Sequence, residues 1–128
     1  MTIRMADHSV LIVEDDEDVR GALATFLECE GYRVIEAPDG AAALEHLRAG
    51  NVCLVLLDLW MPRMNGIEFR SEQLKDRVLA GIPVVIITAD HAAAQKAAEL
   101  GVQGYMRKPI EFPELLSYVG RYCATAGT

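Results

Sequence analysis

"LVLLDLWMP", residues 54–62, decides how the chain is read. Leu54 to Leu57 are four apolar residues in a row, the pattern of a strand covered on both faces. A carboxylate comes at once: Asp58, with Leu59, Trp60 and Met61 beyond it. Burying an ionised Asp is costly unless a cation or strong donors meet it. The strand end therefore calls for a partner.

Two other runs share the pattern, "VLIV" (10–13) and "VVII" (84–87). "RVIEA" (33–37) and "VQGYM" (102–106) mix polar with apolar residues, which places them at sheet edges. Helical spacing fills the gaps. Val19, Leu23, Phe26 and Leu27 line one face of a first helix, and Leu44 and Leu47 of a second that Asp39 caps. Ile67, Leu74 and Val78 mark a third, "HAAAQKAAEL" (91–100) a fourth, and Leu115, Leu116, Val119 and Tyr122 a fifth. Glycines at 31, 50, 81 and 101 stand where helices should stop. The expected fold is α/β: a doubly wound, five-stranded parallel sheet in the order 2-1-3-4-5 with five helices, flavodoxin-like. One domain is expected over 1–128, with its core at about 9–124.

Composition narrows the function. The 128 residues are 52% hydrophobic and 24% charged, as in ordinary globular proteins, and suit one domain. A net charge of −7 argues against direct nucleic-acid binding. No apolar run approaches the roughly 18–20 residues of a membrane span. The opening "MTIRMADHS" lacks the apolar core of a secretory signal. Cys29, Cys53 and Cys123 have no CxxC spacing and read as reduced core residues, so the expected location is the cytoplasm.

In the order 2-1-3-4-5, ligands bind beyond the C-terminal ends of strands 1 and 3. There the first turn reads "VEDDED" (13–18), where a nucleotide-binding fold would carry glycines. A run of acids repels phosphate and attracts a cation. Mg²⁺ suits one or two carboxylates plus waters, and would relieve repulsion among Glu14, Asp15 and Asp58. Thr88 closes the fourth strand, and Lys108, before Pro109, comes just after the fifth. Acids, a metal, a hydroxyl and a fixed positive charge suit phosphoryl transfer to a carboxylate.

"LIVEDDEDVR", "LVLLDLWMPRMNG", "VVIITA" and "GYMRKP", in this order and spacing, resemble the receiver domain of bacterial two-component response regulators over nearly the whole chain. The resemblance implies that Asp58 is the phospho-acceptor. It implies Mg²⁺ held by Asp15 directly, Glu14 through water, Asp58, and the backbone carbonyl of Trp60. Thr88 and Lys108 would contact phosphoryl oxygens, and Thr88 and Tyr105 would form the switch. The Lys108–Pro109 peptide would be cis. The donor would be a phosphohistidine on a sensor histidine kinase or histidine phosphotransfer protein. The readout would be the face of the fourth helix, fifth strand and fifth helix, offered to a downstream effector or a homodimer formed on phosphorylation. Trp60 and Asp90 resemble two variable positions that tune the lifetime of the phosphoryl group; an indole at Trp60 would shield it from water.

Plainer readings stand beside these. Asp16, Glu17 and Asp18 fit a solvated helix N-terminus, and Asp90 fits a cap of the fourth helix. Tyr105 fits a half-buried edge aromatic as well as a switch. His8, His46 and His91 show no ligand spacing, and Met61, Pro62 and Gly66 shape a loop. Ile110 stands where many relatives have Phe, and "GVQGYM" lacks the acidic pair that one DNA-binding subfamily carries before the switch aromatic. Two rival functions remain in view. Against a receiver-shaped binding module without chemistry stands the fact that all five chemical positions carry competent residues. An aspartyl-phosphate hydrolase of the haloacid dehalogenase type would carry a second Asp where Trp60 stands. No segment reads as an effector domain, so a stand-alone receiver and a part of a longer regulator or hybrid kinase both fit.

Overall fold

The computed structural model describes residues 8–125. The reading of the opening stretch as no secretory signal concerns mainly residues 1–7, which lie outside the described residues. Eleven elements succeed one another along the described residues. They are β1 (Ser9–Val13), α1 (Glu17–Cys29), β2 (Arg33–Ala37), α2 (Gly40–Ala49), β3 (Val52–Asp58) and α3 (Gly66–Leu74). After these come α4 (Arg77–Ala80), β4 (Val84–Thr88), α5 (Ala93–Leu100), β5 (Gly104–Arg107) and α6 (Phe112–Tyr122). All strand pairs are parallel, in the order β2-β1-β3-β4-β5. This is the expected doubly wound sheet.

Strand periodicity explains the two layers. Successive side chains of a strand point to opposite faces. Leu11, Val13, Val55, Leu57, Val84 and Ile86 pack on one side with Leu44 and Leu47 of α2, Phe69 of α3 and Ala97 of α5. Val10, Ile12, Leu54, Leu56, Val85 and Ile87 pack on the other with Leu23 and Leu27 of α1 and Leu115 and Val119 of α6. The three central strands are buried throughout or nearly so, while β2 and β5 alternate with exposed positions. Glycines close four helices as expected: Gly31 comes after α1, and Gly50, Gly81 and Gly101 cap α2, α4 and α5. Gly31, Gly50 and Gly101 have positive φ, where a side chain would be strained.

The expected third helix is two. It ends at Leu74, and the short α4 starts after Asp76, whose carboxylate accepts the N–H groups of Val78 and Leu79. A local carboxylate cap competes with helix continuation. Ile67, Leu74 and Val78, the apolar marks of that helix in the sequence, are all exposed, Val78 at 81%. The buried face carries Phe69, Arg70 and Gln73 instead. The guanidinium of Arg70 donates to the Leu100 and Gly101 carbonyls and to Gln73 Oε1. The Gln73 amide donates to the Leu79 and Ile82 carbonyls. A fully satisfied polar pair thus fills positions where sequence periodicity looks for Leu.

The cysteine reading is corrected as well. Cys53 of β3 and Cys123 at the end of α6 are buried, but they form a disulfide with Cα atoms 5.5 Å apart. Cys29 is an exposed free thiol, not a core residue. Two apolar neighbourhoods, one on a central strand and one on the last helix, hide a pairing that spacing alone does not reveal.

Candidate functional site

The loop after β3 shapes the acceptor end of that strand. Asn65 and Glu68 form a reciprocal capping box that starts α3. Gly66 lies against the strand end: a Cβ there would stand 2.6 Å from the Asp58 carbonyl oxygen and 2.8 Å from Leu59 Cα. Only glycine lets the backbone approach so closely. The Gly66 N–H donates to the Leu59 carbonyl at 3.0 Å and closes the 59–65 loop, and Asp58 is only 4% exposed.

Two donors meet Asp58. The Trp60 N–H donates to Oδ1 at 3.2 Å, and Lys108 Nζ donates to Oδ2 at 3.3 Å. Lys108 also reaches both Glu14 oxygens, at 3.1 and 3.3 Å. Its backbone N–H donates to the Thr88 carbonyl at 3.0 Å, and the Lys108–Pro109 peptide is cis, as the resemblance implies. The ammonium of Lys108 is the cation that the buried Asp58 carboxylate requires.

Glu14 sits directly after β1 and is 1% exposed. Arg20 of α1 donates to its carbonyl at 2.9 Å and fixes that backbone. Burial raises the Glu14 carboxyl to about 7; the hydrogen bond and charge of Asp58 push the same way, and Lys108 opposes them. Burial tends to lower Lys108, but its bonds and charge contacts with Glu14 and Asp58 win, so its net shift is upward. Asp15 is exposed beside them, and one oxygen of each of Glu14, Asp15 and Asp58 falls within a 4.8 Å cluster. Three hard carboxylate donors with only one ammonium among them fit a divalent cation such as Mg²⁺.

The other expected residues are arranged less directly. Thr88 is buried at the end of β4, and its hydroxyl accepts the Asp90 N–H at 3.1 Å. Asp90 Oδ1 accepts the Ala92 N–H at 2.8 Å. That closes the turn before α5; the helix's own N-cap, Ala92, makes no side-chain cap bond, so Asp90 is a turn residue and not the cap. Tyr105 is half-exposed on β5, with its backbone N–H 3.4 Å from the Tyr118 hydroxyl, in a surface groove with Arg107, Glu111 and Glu114. No described contact joins it to the carboxylates. The Trp60 indole is 52% exposed and lies under Lys96, whose Nζ is 5.5 Å from the ring centroid. Sequence reasoning missed Arg20 and Lys96, since nothing in a helix pattern marks which surface cation turns toward a crevice.

The family model for the response regulator receiver domain matches residues 10–120. The chain belongs to this family. The receiver is 35% identical over 115 residues to the transcriptional regulatory protein CrdR of Helicobacter pylori, covering 88% of this chain and 54% of that protein. Among solved structures it resembles chemotaxis protein CheY4 of Vibrio cholerae, with TM-score 0.80 and 27% identity over 91% of this chain and 99% of that one. It also resembles response regulator TrrA of Thermotoga maritima in complex with Mg²⁺–BeF, with TM-score 0.78 and 29% identity over 89% of this chain and 97% of that one. The receiver spans about half the length of the first curated relatives it matches, at 54% and 48%. Among the described residues no helix is long and apolar enough to cross a membrane.

Proposed function

We propose that this receiver accepts a phosphoryl group on Asp58 from a phosphohistidine of a sensor histidine kinase or histidine phosphotransfer protein in the cytoplasm. The observation that supports the reading is a buried strand-end carboxylate held by one ammonium and flanked by two further acids. In the transfer, an Asp58 oxygen attacks phosphorus and the P–N bond breaks. The electron pair returns to the imidazole nitrogen. Lys108 neutralises charge on the acceptor side, and the Thr88 hydroxyl, which accepts from Asp90, keeps its own hydrogen to donate to a phosphoryl oxygen. Glu14, Asp15, Asp58 and the Trp60 carbonyl would hold Mg²⁺, which supplies charge neutralisation on the phosphoryl oxygens when bound. Residues 1–128 would act as one domain. Thr88 and Tyr105 would carry the change to the α5–β5–α6 face, where an effector or a second copy would read it.

The test is incubation with phosphoramidate or acetyl phosphate and Mg²⁺. One acid-stable, base-labile phosphoryl group is expected, as befits an acyl phosphate. Failure to acquire it, with Mg²⁺ bound, would leave a binding module without chemistry; turnover of a generic phosphatase substrate would favour the hydrolase.

The raised Glu14 carboxyl gives the metal site a pH dependence. In the metal-free fold Glu14 holds its proton up to about 7, against 4.5 ordinarily. Between these values the unfolded chain binds fewer protons, so this group's contribution to stability falls as pH rises through the window. A cation must displace that proton. Mg²⁺ affinity, followed by Trp60 fluorescence, should therefore drop roughly tenfold from about pH 8 to about pH 6, with about one proton released at the lower pH. The Glu14→Gln protein should bind more weakly and lose most of this slope. An unchanged slope would show that Glu14 does not face the ion.

A further inference from the structure

Four contacts run in a line from Asp58 to Thr88 by way of Trp60, Lys96 and Asp90. The Trp60 backbone N–H holds Asp58 Oδ1 at 3.2 Å, and the Asp90 backbone N–H holds the Thr88 hydroxyl at 3.1 Å. The side chains of the same two residues meet at a third, Lys96 of α5. Its ammonium lies over the Trp60 ring, 5.5 Å from the centroid, and 3.8 Å from Asp90 Oδ2. Asp90 uses its other oxygen for the Ala92 N–H, at 2.8 Å, so the carboxylate is held at both ends. Lys96 and Asp90 side chains are each less than a third exposed. The indole, by contrast, is half-exposed, with this ammonium over its face.

We infer that Lys96 is a positioning residue that lengthens the life of the Asp58 phosphoryl group by bridging the Trp60 indole and the Asp90 carboxylate across the crevice mouth. The inference rests on the phospho-acceptor reading of Asp58. Hydrolysis of an acyl phosphate needs a water delivered in line with the breaking bond. Two groups next to the crevice govern that water in opposite senses: an indole can exclude it, and a free carboxylate can orient it or take its proton. Lys96 acts on both at once. The cation over the ring face restrains the indole, and the ion pair occupies the carboxylate and offsets a negative charge that would sit near phosphate oxygens. Trp60 and Asp90 are therefore not independent tuning positions. One ammonium sets both.

The experiment uses the full chain, phosphorylated with phosphoramidate and Mg²⁺ and then freed of donor, with loss of the acyl phosphate measured over time. Lys96→Met should hydrolyse several-fold faster than the parent. Lys96→Arg keeps the ion pair and the contact with the ring, and should restore the parent rate to within about twofold. Lys75→Met, which removes an exposed lysine paired with Glu72 on α3, serves as the control and should leave the rate unchanged. Trp60→Asn should speed hydrolysis on its own but add less than its full factor in the Lys96→Met background, because the two changes undo one arrangement. A second readout needs no phosphate. Trp60 is the sole tryptophan, so quenching of its fluorescence by the neutral quencher acrylamide in the unmodified protein reports the bridge without a charge effect on the quencher. Quenching should rise in Lys96→Met and not in Lys96→Arg. Equal hydrolysis rates for Lys96→Met and the parent, or full additivity with Trp60→Asn, would overturn the inference. If the parent takes up no phosphoryl group, the reading of Asp58 fails and the lifetime claim fails with it. Unchanged quenching in Lys96→Met would then dispose of the bridge as well.

Discussion

Asp58→Asn is expected to take up no measurable phosphoryl group from phosphoramidate with Mg²⁺ present. The amide has the shape of the carboxylate but not its charge, and its oxygen is a far weaker nucleophile. A loss of at least roughly a thousandfold, about 4 kcal/mol in the barrier, is the expected scale. The variant should still fold, because the Trp60 N–H can donate to the amide oxygen while Lys108 keeps its bonds to Glu14. It also removes the neighbour that raises Glu14 through a hydrogen bond and charge, so Glu14 should titrate closer to its ordinary value. That second effect separates loss of the nucleophile from collapse of the pocket. Phosphate appearing on the variant at the parent rate would place the acceptor elsewhere.

Reduction of the Cys53–Cys123 bridge should have the largest effect on stability. The two residues are 70 apart in sequence, so the link closes a long loop in the unfolded chain. Loop-closure arguments give up to about 4 kcal/mol for such a loop, and measured bridges commonly give about 2–4. For a chain of this size that is a fall in Tm of roughly 6–16 °C. Under non-reducing conditions only Cys29 should react with a thiol reagent, and all three cysteines should react after reduction and unfolding. A midpoint that does not move with reductant, or three reactive thiols without it, would show that the bridge does not form in solution. In a reducing cytoplasm the pair would stand as thiols, and α6 would then be held by the packing of Leu115 and Val119 into the core.

Much of this was legible from residues 10–13, 54–58 and 84–88. Unbroken apolar strands announce a sheet covered on both faces, and the order of elements then leaves few topologies. The carboxylates were legible because strand ends at the switch point are the one place where buried charge has a use. Lys108 was legible through its spacing and the proline after it. What stayed hidden depends on long-range contacts. Arg70 and Gln73 look like surface residues until the carbonyls of Leu100, Gly101, Leu79 and Ile82 are placed around them. Cys123 meets Cys53 across 70 residues, a distance no local pattern spans. Lys96 is one of several cations on helical surfaces, and only the fold turns it toward Trp60.

The buried Arg70 gives α5 two unequal ends. Its guanidinium grips the carbonyls of Leu100 and Gly101, at 3.0 and 2.9 Å, inside a layer that α3 and α4 keep closed. At the opposite end the first turn has no side-chain cap of its own and is tethered through Asp90 to the wall of the crevice. The eight residues between make a rod of about 12 Å. The rod is thus held at its Gly101 end by a buried cation reaching in from another helix, and at its Ala93 end only by bonds to the preceding turn.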